Sequence, residues 1–314
     1  MAYRLAAQPA RPGLTQLAQD LLPVLYQHRL LTIRQLHVLL QPHTRYPVYL
    51  RRQLLRLHEL GLVAATLRQS RGQGEQVWYC TATGADFVEA TGEVTRRAFR
   101  MTEESAASQL QEHTLAVNDT ALAFVQAARQ HGHDCGPLDW EAERAHRLRD
   151  GASHHGGDSV LIPDAVLSYT RHTATQRTLI IWFLEIDRAT ESTTKLAAKL
   201  RSYARYLDYI PTPAPGRGRS ATAPSFEAWR ERYPAFPRVL IVLTGAKPTT
   251  LNRRTADLRA LAAADARLRH TTGRLTAGVT TLEQLQASGP FARIVTPVFG
   301  DPEPTDVLLN AHAN

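Results

Sequence analysis

Apolar positions recur near the helical period in three early segments. From Thr15 onward, Leu17, Leu21, Leu22, Val24 and Leu25 predict a helix closing near His28. Thr32-Ile-Arg-Gln35 has the spacing of a capping box, and Ile33, Leu36, Leu39 and Leu40 supply the stripe of a second helix that Pro42 ends. A third helix is predicted over 46–60, with Gly61 as its left-handed C-cap. The period then changes. Strands over 62–67 and 76–81 flank the polar turn Gln69 to Glu75, and another helix opens near Gly84. After a polar, helix-prone stretch over 93–108, a helix is predicted at 111–130 and strands at 138–145, 160–169 and 179–187. A helix at 192–209 and a buried strand at 238–244 complete the order α-β-β-β-α-β. Helices near 250–268 and 282–287 and a strand near 293–298 extend this region, and no internal repeat is apparent. Residues 211–224 are rich in Pro and Gly and read as an excursion.

The expected fold class is therefore α/β. A three-helix and hairpin module occupies 1–95, a linker 96–108, an α/β domain 109–300 and a tail 301–314. A chain of 314 residues is long enough for about two domains.

Turning the third helix by about 100° per residue separates two faces. Leu50, Leu54 and Leu57 fall together, while Arg45, Tyr49, Arg52 and Arg56 fall on the other side, with Arg51 beside them. Charge sharpens this reading. The chain carries 37 basic and 29 acidic residues, a net of +8. Through Arg71 there are ten Arg against Asp20 and Glu59, so that stretch alone accounts for the excess and the remainder balances. A positive field confined to one end points to a polyanion partner, and double-stranded DNA is the expected one. Helix, helix, basic helix and hairpin is the order of a winged helix-turn-helix, in which the third helix enters the major groove. Arg68 and Arg71, at the hairpin turn, are then expected on backbone phosphates.

Other compositional features exclude rather than assign. The longest apolar run, Leu179 to Leu184, is six residues where a membrane span needs about 20. The first residues lack a signal-peptide apolar stretch, so a cytoplasmic location and no membrane partner are expected. Cys80 and Cys135 are the only cysteines, which removes zinc fingers and disulfide frameworks. His154 and His155 adjoin in a Gly-rich loop and lack a third ligand at zinc spacing.

The strongest chemical signal is a set of acids in strand-like sequence. Ile162-Pro-Asp-Ala-Val puts Asp164 at the start of a strand, and Phe183-Leu-Glu-Ile-Asp-Arg puts Glu185 and Asp187 on one face of the next. An acid within an apolar strand costs free energy unless it is paired, hydrogen-bonded or bound to a metal. Arg188 or Arg201 would pair with Glu185 and Asp187 in a purely structural role. The chain has only three lysines, Lys195, Lys199 and Lys247, and the first two share a face of the following helix.

This order, with Pro163-Asp164 and Glu185-Ile-Asp187, resembles the PD-(D/E)xK nuclease superfamily with its restriction-endonuclease-like domain. The N-terminal module, His113-Thr-Leu-Ala-Val-Asn-Asp119, Pro163-Asp-Ala165, and Phe183 to Arg188 with Lys199-Leu-Arg-Ser-Tyr203 resemble, over about residues 10–245, the replication-relaxation family of plasmids and mobile elements. The resemblance implies a DNA-binding protein of replication or mobilisation, working with plasmid replication or relaxase proteins or as a homodimer. It implies Asp164 and Glu185 as holders of Mg2+ or Mn2+, with Glu112 from the preceding helix as a third acid. The sequence departs from the nuclease pattern where Asp187 stands in place of lysine, and Lys195 or Lys199 is expected to bring a cation back. Asp164, Glu185, Asp187, Lys195 and Lys199 are thus the candidate catalytic set. Two alternatives are an active magnesium-dependent endonuclease and a winged-helix transcriptional regulator whose second domain senses a ligand or dimerises.

Overall fold

The computed structural model describes residues 13–68, 74–92, 94–97, 99–108, 110–148, 159–211 and 226–309. Arg71, His154, His155 and nearly all of the Pro/Gly-rich segment lie outside them. The architecture is mixed α/β with several sheets. It divides into two compact units, residues 1–142 with 169–178, and residues 143–168 with 179–314.

The first unit opens with α1 (Gln16–His28), capped by the Thr15 hydroxyl, which accepts from the Ala18 amide. After β1 (Leu31–Thr32), α2 (Ile33–Leu40) begins with the expected reciprocal capping box of Thr32 and Gln35. Helix α3 (Val48–Glu59) buries Leu50, Gln53, Leu54 and Leu57. It stops in a Schellman turn: Gly61, at φ 70°, donates to the His58 carbonyl at 2.8 Å while Leu62 donates to that of Leu57 at 2.9 Å. Strands β2 (Val63–Leu67) and β3 (Gln76–Cys80) form the expected hairpin, and β1 adds along the free edge of β3, pairing Leu31 with Trp78. Helix α4 (Ala82–Glu89) follows, and its Gly84 has no room for a side chain, since a Cβ would stand 2.0 Å from the Leu62 carbonyl oxygen. Helix α5 (Glu103–Ala106) precedes the long α6 (Gln111–His131).

The expected boundary near residue 108 marks the start of a helix and not the edge of a unit. Gln35 donates to the Leu115 carbonyl at 3.0 Å, and Asn118 to those of His28 and Leu30 at 3.2 and 2.8 Å, so buried polar side chains tie α6 to the N-terminal helices. The restart of the apolar pattern reported a new helix, while its partners were set by contacts about 80 to 90 residues back. Strand β4 (Trp140–Ala142) is shorter than the expected 138–145.

The second unit begins with the small pair β5 (His146–Arg147) and β6 (Val160–Leu161). The strand expected over 160–169 is broken at Pro163-Asp164 and resumes as β7 (Ala165–His172), because proline brings no amide to a ladder. Strand β8 (Arg177–Asp187) is buried along Ile180–Asp187. Helix α7 (Thr193–Asp208) crosses to β9 (Arg238–Leu243), which lies parallel to β8 with Glu185 opposite Ile241 and Asp187 opposite Leu243. A short 3-10 turn, Ala228–Glu231, sits between them. The helix expected over 250–268 is two, α8 (Pro248–Ala264) and α9 (Ala266–His270), because the Asp265 carboxylate caps the second at the Leu268 amide. Strand β10 (Ala277–Thr281) was not anticipated; it is five residues long, contains Gly278, and pairs parallel to β9. Helix α10 (Leu282–Ser288) follows, and the strand expected at 293–298 is only β11 (Thr296–Pro297). The sheet runs β11-β10-β9-β8-β7 through this unit. Phe183, Val239 and Ile241 pack against Leu200, Tyr203 and Leu207 of α7 in its core. Among the described residues no helix is long and apolar enough to cross a membrane.

Candidate functional site

On α3 the inward stripe of Leu50, Leu54 and Leu57 fixes what faces out. Arg45, Tyr49, Arg51, Arg52 and Arg56 are all exposed. Tyr46, Val48 and Leu55, which the charge pattern did not single out, are exposed beside them. Arg45 lies over the Tyr46 ring at 5.2 Å, and Arg56 donates to the Gly13 carbonyl at 2.8 Å. Among the described residues no acid pairs with Arg45, Arg51 or Arg52.

Arg68 and Glu112, expected on a phosphate and on a metal respectively, meet each other. The guanidinium donates from Nε to Glu112 Oε1 at 2.9 Å and from Nη2 to Oε2 at 3.0 Å, and from Nη1 to Glu75 Oε2 at 2.8 Å. The two-point fork on Glu112, with the single bond to Glu75, makes Arg68 a tie between α6 and the hairpin.

In the second unit the break at Pro163 aims Asp164 across to β8. Its amide donates to the Leu184 carbonyl at 3.1 Å, and its Oδ2 accepts from the Ile186 amide at 2.7 Å. The side chain thus caps the strand that carries Glu185. Two turns into α7, Lys199 Nζ contacts Glu185 Oε2 and lies 3.5 Å from Asp164 Oδ1. One turn further on, the Tyr203 hydroxyl donates to Glu185 Oε1. Glu185 is 3 % exposed. Burial pushes its carboxyl up to about 8, with Asp164 adding to the rise and Lys199 and Tyr203 opposing it. Burial would lower Lys199, but Glu185 and Asp164 outweigh it and hold the ammonium charged above its ordinary range.

Three of the five expected catalytic residues therefore converge. Lys199 is the one of the two helix lysines that lies against both acids. Lys195 does not join it: its side chain is 67 % exposed and pairs with Glu191 at 3.3 Å. Asp187 shares the face of Glu185 but is bound elsewhere, by Arg254 of α8, whose Nε lies 2.9 Å from Oδ2. The Ala189 amide donates to the other oxygen at 2.9 Å. The partners expected for these acids, Arg188 and Arg201, are not the ones used, and Arg201 pairs with Asp265 at 3.2 Å. Sequence reasoning missed Tyr203 as a site residue although it stands four positions after Lys199, hence on the same helix face. Arg254, 67 residues from Asp187, gave no signal.

The donor set has the chemistry of a hard cation. Asp164 and Glu185 offer carboxylate oxygens without thiolate or imidazole, and magnesium is commonly held by one or two carboxylates together with substrate phosphates. Among the described residues no three His, Cys, Asp or Glu side chains gather into a metal site, so Glu112 adds no third ligand.

A replication-relaxation family model matches residues 22–218, well over half of the chain. No curated protein and no solved structure matches it.

Proposed function

The chain belongs to the replication-relaxation family, and from that premise we propose that it is a DNA-binding protein acting in the replication or mobilisation of a plasmid or mobile element. The observation that carries this reading is the exposed face of α3, where Arg51 and Arg52 stand without acidic partners among the described residues, outside the buried leucine stripe, with Arg45 likewise unpaired just before the helix. The hairpin behind α3 and the β1 strand on its edge support a winged helix-turn-helix, in which this helix would lie in the major groove and its arginines meet guanine edges and phosphates. Binding of the full chain to a labelled duplex, titrated against salt, tests the reading. Engagement of four to six phosphates gives a slope of log affinity against log salt of roughly −4 to −5. Arg52→Ala and Arg56→Ala should each cost about 1–3 kcal/mol of binding if they meet bases. A slope near zero overturns the reading.

A second reading, a magnesium- or manganese-dependent endonuclease with a restriction-endonuclease-like domain, is favoured by Lys199 on Asp164 and Glu185. Asp164 and Glu185 would hold the ion, which when bound polarises a phosphoryl oxygen and lowers the pKa of water. The Ile186 amide fixes Asp164 Oδ2, the Tyr203 hydroxyl fixes Glu185 Oε1, and Lys199 holds a permanent positive charge between the two acids to offset charge on a phosphate. Nicking of supercoiled and single-stranded DNA with either metal, lost in Asp164→Ala, Glu185→Ala and Lys199→Ala with folding intact, would establish it. No nicking by the wild type under both metals would leave a DNA-binding scaffold.

A further inference from the structure

The outermost line of α3 is not made of arginine alone. At about 100° per residue, Val48, Arg52, Leu55 and Glu59 fall within about 60° of one another, opposite the buried Leu50, Gln53, Leu54 and Leu57. Val48 is 63 % exposed and Leu55 57 %. Single exposed aliphatic side chains are ordinary on a protein surface. These are grouped instead: of the fourteen large apolar side chains exposed among the described residues, five, Tyr46, Val48, Tyr49, Leu55 and Leu60, lie within residues 46–60. Cations flank the line, with Arg51 to one side and Arg56, which donates to the Gly13 carbonyl at 2.8 Å, to the other. Glu59 stands at the C-terminal end of the helix and would repel phosphate, so the segment suited to a polyanion ends near Leu55.

A face that met only phosphates would have no use for aliphatic side chains along its centre, because phosphate oxygens take charge and hydrogen bonds. The major groove presents one apolar group, the C5-methyl of thymine. We propose that α3 reads thymines there: Val48 and Leu55 pack on C5-methyl groups about three base pairs apart, while Arg52, between them, reaches the intervening base edges. The spacing follows from the helix, since the seven-residue step from Val48 to Leu55 rises about 10 Å at about 1.5 Å per residue, and three base-pair steps of about 3.4 Å span the same length. Arg51 and Arg56 then stand toward the two phosphate walls of the groove. An apolar protein surface fits the face less well, because it would take Arg51 and Arg52 out of water without supplying an acid. The inference rests on α3 as the DNA-contacting helix and adds which base it selects and by which side chains.

In the test, the full chain selects its tightest duplex from a random pool of about 20 base pairs, and that duplex is remade with deoxyuridine for thymidine, which removes the C5-methyl and keeps every base pair. Wild type should bind the uridine duplex about 15-fold more weakly for each bound copy, about fourfold for each methyl that loses its contact. Uridine placed singly should locate the two methyls about three base pairs apart. Val48→Ala/Leu55→Ala should bind the two duplexes alike, with the wild-type salt slope and an unchanged unfolding midpoint, because both side chains are exposed. A uridine penalty that persists undiminished in this variant overturns the proposal, since the methyl would then act through DNA shape or other side chains. Equal binding of both duplexes by the wild type, with a steep salt slope, also overturns it while the DNA reading of α3 stands. Absence of salt-dependent duplex binding defeats both. Self-association of the wild type that Leu55→Ala abolishes, without any uridine effect, overturns it in favour of a contact between copies of the chain.

Discussion

On α3 the charged side chains stand in water with a buried leucine stripe behind them, whereas at β8 the charged side chains are themselves buried and the strand's apolar neighbours surround them. Arg51 and Arg52 of the first unit meet no acid among the described residues; Glu185 and Asp187 of the second each meet a cation brought by a different helix. An exposed cation is cheap to keep and ready for a partner, because water solvates it until phosphate replaces the water. A buried carboxylate is expensive, and every neighbour must be placed to keep it tolerable. Charge offered outward therefore remains available to a polyanion, while charge held inward is a fixed electrostatic arrangement.

Removing one member of the inner arrangement should have the largest effect. Lys199→Met leaves Glu185 and Asp164 without their cation and should destabilise the second unit by about 3 kcal/mol, near the lower end for breaking a buried pair because Lys199 is partly exposed. Urea unfolding measures it, and the double variant Glu185→Gln/Lys199→Met should recover most of the loss. Failure to recover would show that Lys199 acts through packing and not through the acid.

Acid should strain the two units alike, since each holds a neutral buried histidine. His28 donates from Nε2 to the Pro137 carbonyl at 2.6 Å and stacks on Trp140, and burial lowers it to about 3. His146 lies 2.7 Å from the Tyr233 hydroxyl, and burial lowers it to about 4. Below about 6.5 the unfolded chain takes up a proton that each folded site refuses. Stability is thus full above that value and falls by about 1.4 kcal/mol per pH unit per histidine down to the folded pKa, or about 3 kcal/mol each at pH 4.5. Unfolding at pH 7 and 4.5 checks this, and His28→Gln or His146→Gln should flatten the dependence. A slope unchanged in both variants would place the acid sensitivity in other groups.

The smallest expected effect is the sharpest contrast. Arg52→Ala/Arg56→Ala should leave the unfolding free energy within about 0.5 kcal/mol of wild type, because both side chains are exposed. A larger loss would mean that the outward face supports the unit and is not held in reserve for a ligand.

Much of the first unit could be read directly, since its signals are local. The Thr15 cap, the Thr32 and Gln35 capping box, the Gly61 turn and the two faces of α3 each depend on residues within about one or two helical turns. In the second unit the period-2 pattern of Phe183 to Asp187 placed both acids on one face, and the spacing of α7 offered Lys195 and Lys199 as cations. Which lysine turned inward followed from how α7 sits on β8, where Lys199 is next to Leu196 and Leu200 of the buried stripe and Lys195 lies at the exposed start of the helix.

From the sequence alone came the larger helices and strands, the outward arginines and the strand acids, while β1, β5, β10 and the split of α8 from α9 did not, because propensity, capping and periodicity act over a few residues and short strands carry little of any of them. Only the tertiary structure decided the partners: Arg68 with Glu112 across 44 residues, Arg254 with Asp187 across 67, and α6 with the N-terminal helices instead of beyond a linker. A buried charge or amide is satisfied by whichever group the packed chain brings within hydrogen-bond reach, and no local pattern encodes that proximity.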